Sequence, residues 1–103
     1  MKKELVILTL IFITYSLTLN QPPLKPINET LIGDYIRIRG EIKSYADPPR
    51  LTIMNLSDGT GTIKAVFFSE VSGWKGQTVE ITGRVAEYKG EIELKGVKIK
   101  YLN

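Results

Sequence analysis

The sequence predicts an all-β fold over residues 31–103, a small closed barrel of five antiparallel strands, with a short hydrophobic helix ahead of it. Three observations carry this. Apolar and polar residues alternate with period 2 through most of that stretch, as in strands with one buried face. Clusters of Gly, Pro, Asp and Lys-Gly punctuate the alternation into five runs. A pattern with a glycine near its middle occurs twice, as Gly33-x-x-Ile-x-Ile-x-Gly-x-Ile-x-x-Tyr45 and as Gly76-x-x-Val-x-Ile-x-Gly-x-Val-x-x-Tyr88.

Lys2, Lys3 and Glu4 precede fifteen residues without a charge, Leu5 to Leu19. A positive start before an apolar stretch is the layout of a secretory signal. As a helix the stretch spans ~23 Å, short of the ~30 Å hydrocarbon core. Ser16-Leu-Thr18 is a poor cleavage site, so residues 1–19 are expected to be a signal-anchor, or else a signal peptide that is removed. The stretch is apolar on every side, which speaks against a strand or helix packed on the domain. The two lysines place the N-terminus in the cytoplasm and the barrel on the extracytoplasmic side, with membrane attachment through residues 5–19.

Residues 20–30 hold three of the five prolines, Pro22, Pro23 and Pro26. Prolines at this density favour extended geometry, so the segment is expected to be a stiff spacer reaching ~30 Å. Asn28-Glu-Thr30 is a glycosylation-type sequon, relevant if the segment is exported.

The domain itself is read as strands near 31–45, 50–57, 61–68, 77–88 and 91–101. In the first, Ile36, Ile38 and Ile42 alternate with Arg37, Arg39, Glu41 and Lys43. In the fourth, Val79, Ile81 and Val85 alternate with Glu80, Thr82 and Arg84. In the fifth, Ile92 and Leu94 alternate with Glu91, Glu93 and Lys95. Asp58-Gly59 marks a hairpin turn, where Asp accepts local backbone bonds and Gly takes positive φ. Gly40 and Gly83 are expected to be bends, because a missing Cβ lets the backbone curl or another chain approach. Two long bent strands with shorter ones between them suit a closed barrel. Ser69 to Trp74 leaves room for about one helical turn.

Leu51 to Phe68, with its Leu56-Ser-Asp58 before the hairpin, then Gly76 to Gly83 and Gly90 to Leu94, resembles the OB-fold of the nucleic-acid-binding kind. Its members include the anticodon-binding domains of class II aminoacyl-tRNA synthetases and replication protein A. The resemblance covers residues 31–101 and rests on the order and spacing of the elements. It implies that Met54, Leu56, Ile63, Ala65 and Phe67 point inward, and that the outer face of strands two and three is the ligand platform. On that platform Ile53, Val66 and Phe68 would stack bases, with Asn55 and Lys64 beside them. Lys43, Tyr45 and Arg50 around the first loop, and Tyr88 and Lys89 at the last, would flank the groove. Tyr45 and Tyr88 also suit packing at the barrel ends. Lys95, Lys98 and Lys100 read as a solvated strand face, because Glu91 and Glu93 stand near them.

Composition narrows the chemistry. The chain has no His and no Cys, which excludes disulfides, thiolate nucleophiles, imidazole bases and Cys/His zinc sites. No cofactor or metal is expected. Thirteen Ile and two Gln match the bias of thermophile proteins. From Thr30 to Asn103 there are eleven Lys+Arg and nine Asp+Glu, so phosphate binding would be weak and salt-sensitive. The resemblance implies a binding module for single-stranded DNA or RNA, not an enzyme, with a protein partner possible, and residues 5–19 are expected to tether it to a membrane. The alternative is an extracytoplasmic OB domain that binds glycan or an envelope protein. A nuclease of the OB-fold kind would need converging carboxylates, and here they alternate along strands.

Overall fold

The computed structural model describes residues 21–102, so the expected signal-anchor or signal peptide lies outside the described residues. Among the described residues no helix is long and apolar enough to cross a membrane. Five strands follow in order: β1 (Tyr35–Ala46), β2 (Thr52–Ser57), β3 (Thr62–Phe67), β4 (Thr78–Tyr88) and β5 (Glu91–Tyr101). They form a closed barrel in the order β1-β2-β3-β5-β4.

Four seams are antiparallel, as expected, and the fifth, β3 with β5, is parallel, with Lys64 opposite Glu93 and Val66 opposite Lys95. Parity requires one such seam. Going round a ring of five strands, direction cannot reverse at every step and still return to the start.

Most alternating positions face inward as the pattern demands; Ile92, near the start of β5, is 45% exposed instead, while its neighbour Glu93 is buried. Ile36, Ile38, Ile42, Met54, Leu56, Ala65, Val79, Ile81, Val85 and Leu94 are essentially inaccessible, with Ile63 and Phe67 beside them. Two bulges bend the sheet. Lys43 is the unpaired residue where β1 passes from β4 to β2, and Val97 is the unpaired residue of β5 opposite the Thr82–Gly83 step. Gly83 faces Gly96 there, and a Cβ on Gly83 would run into the Lys95 carbonyl. At Gly40 an added Cβ would stand 3.0 Å from the Ser57 carbonyl oxygen, where β2 leaves β1. Both glycines of the repeated pattern are thus places of close backbone approach.

Two further details differ from the sequence reading. Residues 69–76 carry no helical turn; the Thr52 hydroxyl instead ties the loop, donating to the Ser69 carbonyl at 2.8 Å and accepting from the Val71 N–H at 3.0 Å. The proline-rich segment does not stand off as a spacer. The Arg37 N–H donates to the Pro23 carbonyl and the Lys25 N–H to the Arg37 carbonyl, adding a short parallel bridge to the edge of β1. A single 3-10 turn follows (Ile27–Glu29), and Ile27 enters the core with 7% exposure. Burial of one such side chain contributes ~1.5–3 kcal/mol, enough to hold a segment that proline has already restricted.

Asp58 locks this docking. One carboxylate oxygen accepts the Ile27 N–H at 2.8 Å, while the other accepts the Thr60 N–H at 2.9 Å and hydroxyl at 2.6 Å. Desolvation pushes its pKa up, but bonds from the Thr60 hydroxyl and from the N–H groups of Ile27, Thr60 and Gly61 outweigh this and hold it below the usual carboxylate value. The residue read as a turn former is also the clasp of the N-terminal segment.

Candidate nucleic-acid interface

The inward set of β2 and β3 turns Ile53 and Lys64 outward, and the parallel seam brings Glu93 and Lys95 of β5 alongside them. The three strands form the floor of a cleft of about 520 Å³, walled by Phe68 on one side and by Glu87, Tyr88 and Lys89 of the β4–β5 hairpin on the other. Phe68 lies one residue past the end of β3, so no neighbouring strand covers it and the residue is 71% exposed. Tyr88 ends β4 ahead of a tight turn in which Lys89 and Gly90 both take positive φ. That turn leaves the tyrosine 58% exposed with the Lys89 ammonium 5.4 Å from its ring centroid.

Six of the ten residues proposed from the sequence therefore meet in one place: Ile53, Lys64, Val66, Phe68, Tyr88 and Lys89. Val66 needs a correction within that group. It is only 8% exposed, because Ile53 and Lys95 flank it on both sides, so it is floor and offers no stacking surface.

The other four lie elsewhere. Lys43 occupies the β1 bulge and pairs with Glu41 at 3.2 Å. Tyr45 caps the barrel end, donating to the Val71 carbonyl at 2.6 Å, and desolvation pushes its phenol above the usual value. Arg50 takes a φ of 66° in the Pro48–Leu51 turn, exposed and outside the cleft. Asn55 donates to the Ser44 hydroxyl at 2.6 Å and borders a shallower groove, which shares Lys64 and Glu91 with the cleft.

The cleft also holds residues that were assigned no role in it. Lys95, read above as part of a solvated face, lines it together with Glu87, Glu91 and Glu93. Three carboxylates thus offset Lys64, Lys89 and Lys95, and Lys64 is held by Glu91 at 3.1 Å. Glu93 is about nine-tenths buried beside Lys64 across the parallel seam. Period 2 put Glu91, Glu93 and Lys95 on one face of β5, but only the seam reveals which strand that face adjoins. Among the described residues no three carboxylates converge to hold a metal ion.

An exposed aromatic pair over a shallow, charged sheet face can stack bases and meet phosphates. A domain of replication protein A from Methanococcus maripaludis has the same fold, with a TM-score of 0.68 and 20% identity over 77% of this chain and 94% of that one. The S. pombe Stn1–Ten1 complex contains a similar domain, with a TM-score of 0.61 and 22% identity over 66% of this chain and 57% of that one. Asparaginyl-tRNA synthetase from Pyrococcus horikoshii gives a TM-score of 0.66 and 19% identity over 76% of this chain but only 22% of the synthetase. No curated protein sequence matches the chain. Residues 36–102, more than half of the length, match the OB-fold nucleic acid binding domain of the tRNA anti-codon type, and the chain belongs to that family.

Proposed function

We propose that the barrel binds single-stranded DNA or RNA in the β2–β3–β5 cleft, weakly and with little sequence preference. The observation that carries this is Phe68, a large side chain exposed on the wall of a cleft that Tyr88 and Lys64 also line. A ring of this kind accepts the face of any base, worth roughly 1–3 kcal/mol per stacked base. Lysines meet phosphate as point charges without reading sequence. The three carboxylates keep the affinity modest and exclude a deep anionic grip. Membership of a nucleic-acid-binding family favours this ligand over glycan or an envelope protein. The role is binding, with no catalytic group assigned.

The test is fluorescence anisotropy with a labelled oligothymidylate of about 4–5 nucleotides, short enough to occupy the cleft alone. With ~2–3 phosphate contacts the log–log salt slope is about −1.5 to −2. Phe68→Ala weakens binding by roughly 1–3 kcal/mol with little change in thermal stability. Absence of binding at low salt and millimolar protein, or full affinity in Phe68→Ala, overturns the proposal.

Tethering to a membrane through residues 5–19 completes the reading, supported by their lack of charge. The full chain is then expected in the membrane fraction after alkaline extraction. Protease accessibility of a C-terminal tag in intact and lysed cells shows whether the barrel faces the extracytoplasmic side.

A further inference from the structure

The cations outside the cleft are not scattered. Register sets Arg37, Thr82 and Lys98 in one row across β1, β4 and β5, and Arg39, Glu80 and Lys100 in the next. Glu80 is the one carboxylate in these rows and is already committed, accepting from Arg37 at 2.8 Å and from Arg39 at 3.0 Å. The Pro22 carbonyl takes the Arg37 Nε–H at 2.7 Å, so this guanidinium is fixed from two sides. Lys98 and Lys100 are exposed and, among the described residues, have no anionic partner. Together with Tyr35 they line a concavity of about 280 Å³. The Arg84 guanidinium lies 5.4 Å from the Tyr35 ring centroid.

Two features point to a ligand. Successive outward residues on a strand stand ~6.6 Å apart, comparable with the step between phosphates along an extended single strand. The cations are also continuous with the cleft, because Lys95 lines the cleft and is the register partner of Arg84. We propose that this β1–β4–β5 face is a second binding surface, which takes the sugar–phosphate backbone of a nucleic-acid strand leaving the cleft over β5. An anionic membrane is the poorer fit. Lipid-facing surfaces present apolar groups for insertion, and Tyr35 is the only large apolar residue lining the concavity. The path over β5 rests on the reading proposed above, but phosphate binding at this surface uses different residues, so the two are tested separately.

The full-length chain and its variants are titrated with labelled oligothymidylates of ~5 and ~15 nucleotides, bracketing the site sizes known for one OB barrel. Lys98→Gln/Lys100→Gln is expected to weaken binding of the longer strand about tenfold at low salt. Its log–log salt slope flattens by ~1.4, at ~0.7 per lost contact. The shorter strand is unaffected. Lys43→Gln/Lys75→Gln removes the same net charge elsewhere and leaves both affinities unchanged. If Phe68→Ala abolishes binding of the short strand while the lysine pair still governs the long one, both surfaces stand. If the long strand binds regardless of Phe68 but depends on the lysine pair, this surface stands and the cleft reading fails. Equal affinity of the lysine-pair variant and the parent for the longer strand overturns the inference. So does an equal loss in the control pair, or binding of phosphatidylserine vesicles that needs Lys98 and Lys100 when oligonucleotide binding does not.

Discussion

Glu80 and Glu91 both hold cations on the outside of the barrel, and they do so to opposite ends. Glu80 on β4 is 8% exposed and grips two arginines; Glu91 on β5 is 67% exposed and touches one lysine. Around Glu80 the sheet is covered on both sides, since Arg37, Arg39 and the Pro22 segment lie over β4 and leave Thr82 buried as well. A carboxylate shielded from water in this way becomes scaffold, because it cannot regain its hydration without displacing the groups that cover it. Glu91 stands at the rim of an open cleft, where water screens the pair and a ligand phosphate can replace the carboxylate. One face of the barrel therefore presents cations in fixed positions, and the other presents a lysine that is available by exchange.

The two faces share β5, and the largest effect should come from breaking the place where it bends between them. Gly83→Val forces a branched side chain into the Lys95 carbonyl opposite the Val97 bulge. The expected loss is more than about 3 kcal/mol, seen as a fall in Tm of ~10 °C or more. Gly40→Val, with 3.0 Å to the Ser57 oxygen, should cost about 1–3 kcal/mol. An unchanged melting temperature in Gly83→Val would show that the strands do not approach there.

Glu80→Gln separates the two carboxylates directly. It leaves the half-buried Arg37 guanidinium with a neutral partner, at an expected cost of about 1–3 kcal/mol in denaturant unfolding. A smaller loss than Glu91→Gln produces would reverse the comparison.

Acid offers the same contrast without mutation. The bonds from Arg39 and then Arg37 hold the Glu80 carboxyl below its usual pKa. A group whose pKa is lower in the folded than in the unfolded state contributes its stability above the unfolded value of ~4.3, and that contribution fades as pH falls through and below it. Asp58 is lowered as well and acts in the same direction. Tm should thus be level from neutral pH to about 5 and fall below ~4, with a shallower fall in Glu80→Gln. A parallel fall in parent and variant would mean that Glu80 is not a source of the acid sensitivity.

The smallest expected change is the most informative about the cleft. Glu91→Gln releases Lys64, so short oligonucleotides should bind about two- to five-fold more tightly, with a steeper salt slope. Stability should hardly move. Tighter binding without a change in slope would mean that Lys64 does not meet phosphate.

Within the site, the two aromatics and Lys64 were legible because the resemblance assigned the ligand to the outer face of strands two and three and to the last loop, and the strand period then said which side chains lie there. Phe68 follows a strand whose inward set is unambiguous, and Tyr88 precedes a Lys-Gly turn. Tyr45 occupies the matching place in the repeated pattern, yet its hydroxyl binds the Val71 carbonyl at the barrel end. A repeat in sequence specifies the path of a strand, and the neighbours of each copy decide what its tyrosine does. Lys95 was misassigned for a related reason: its face was readable, but its neighbour across the parallel seam was not.

The five strands, the bend glycines and most of the inward residues, Ile92 excepted, follow from the sequence by itself, because pleat period, turn chemistry and the absence of Cβ act over a few residues. The tertiary structure decided the rest. Ile27 and Asp58, 31 residues apart in the chain, join only once the barrel offers a gap for the isoleucine. The covering of β4, the balance of charge in the cleft and the row of Lys98 with Arg37 depend on which strands become neighbours. That choice is set by barrel closure, a condition on all five strands at once that no local pattern encodes.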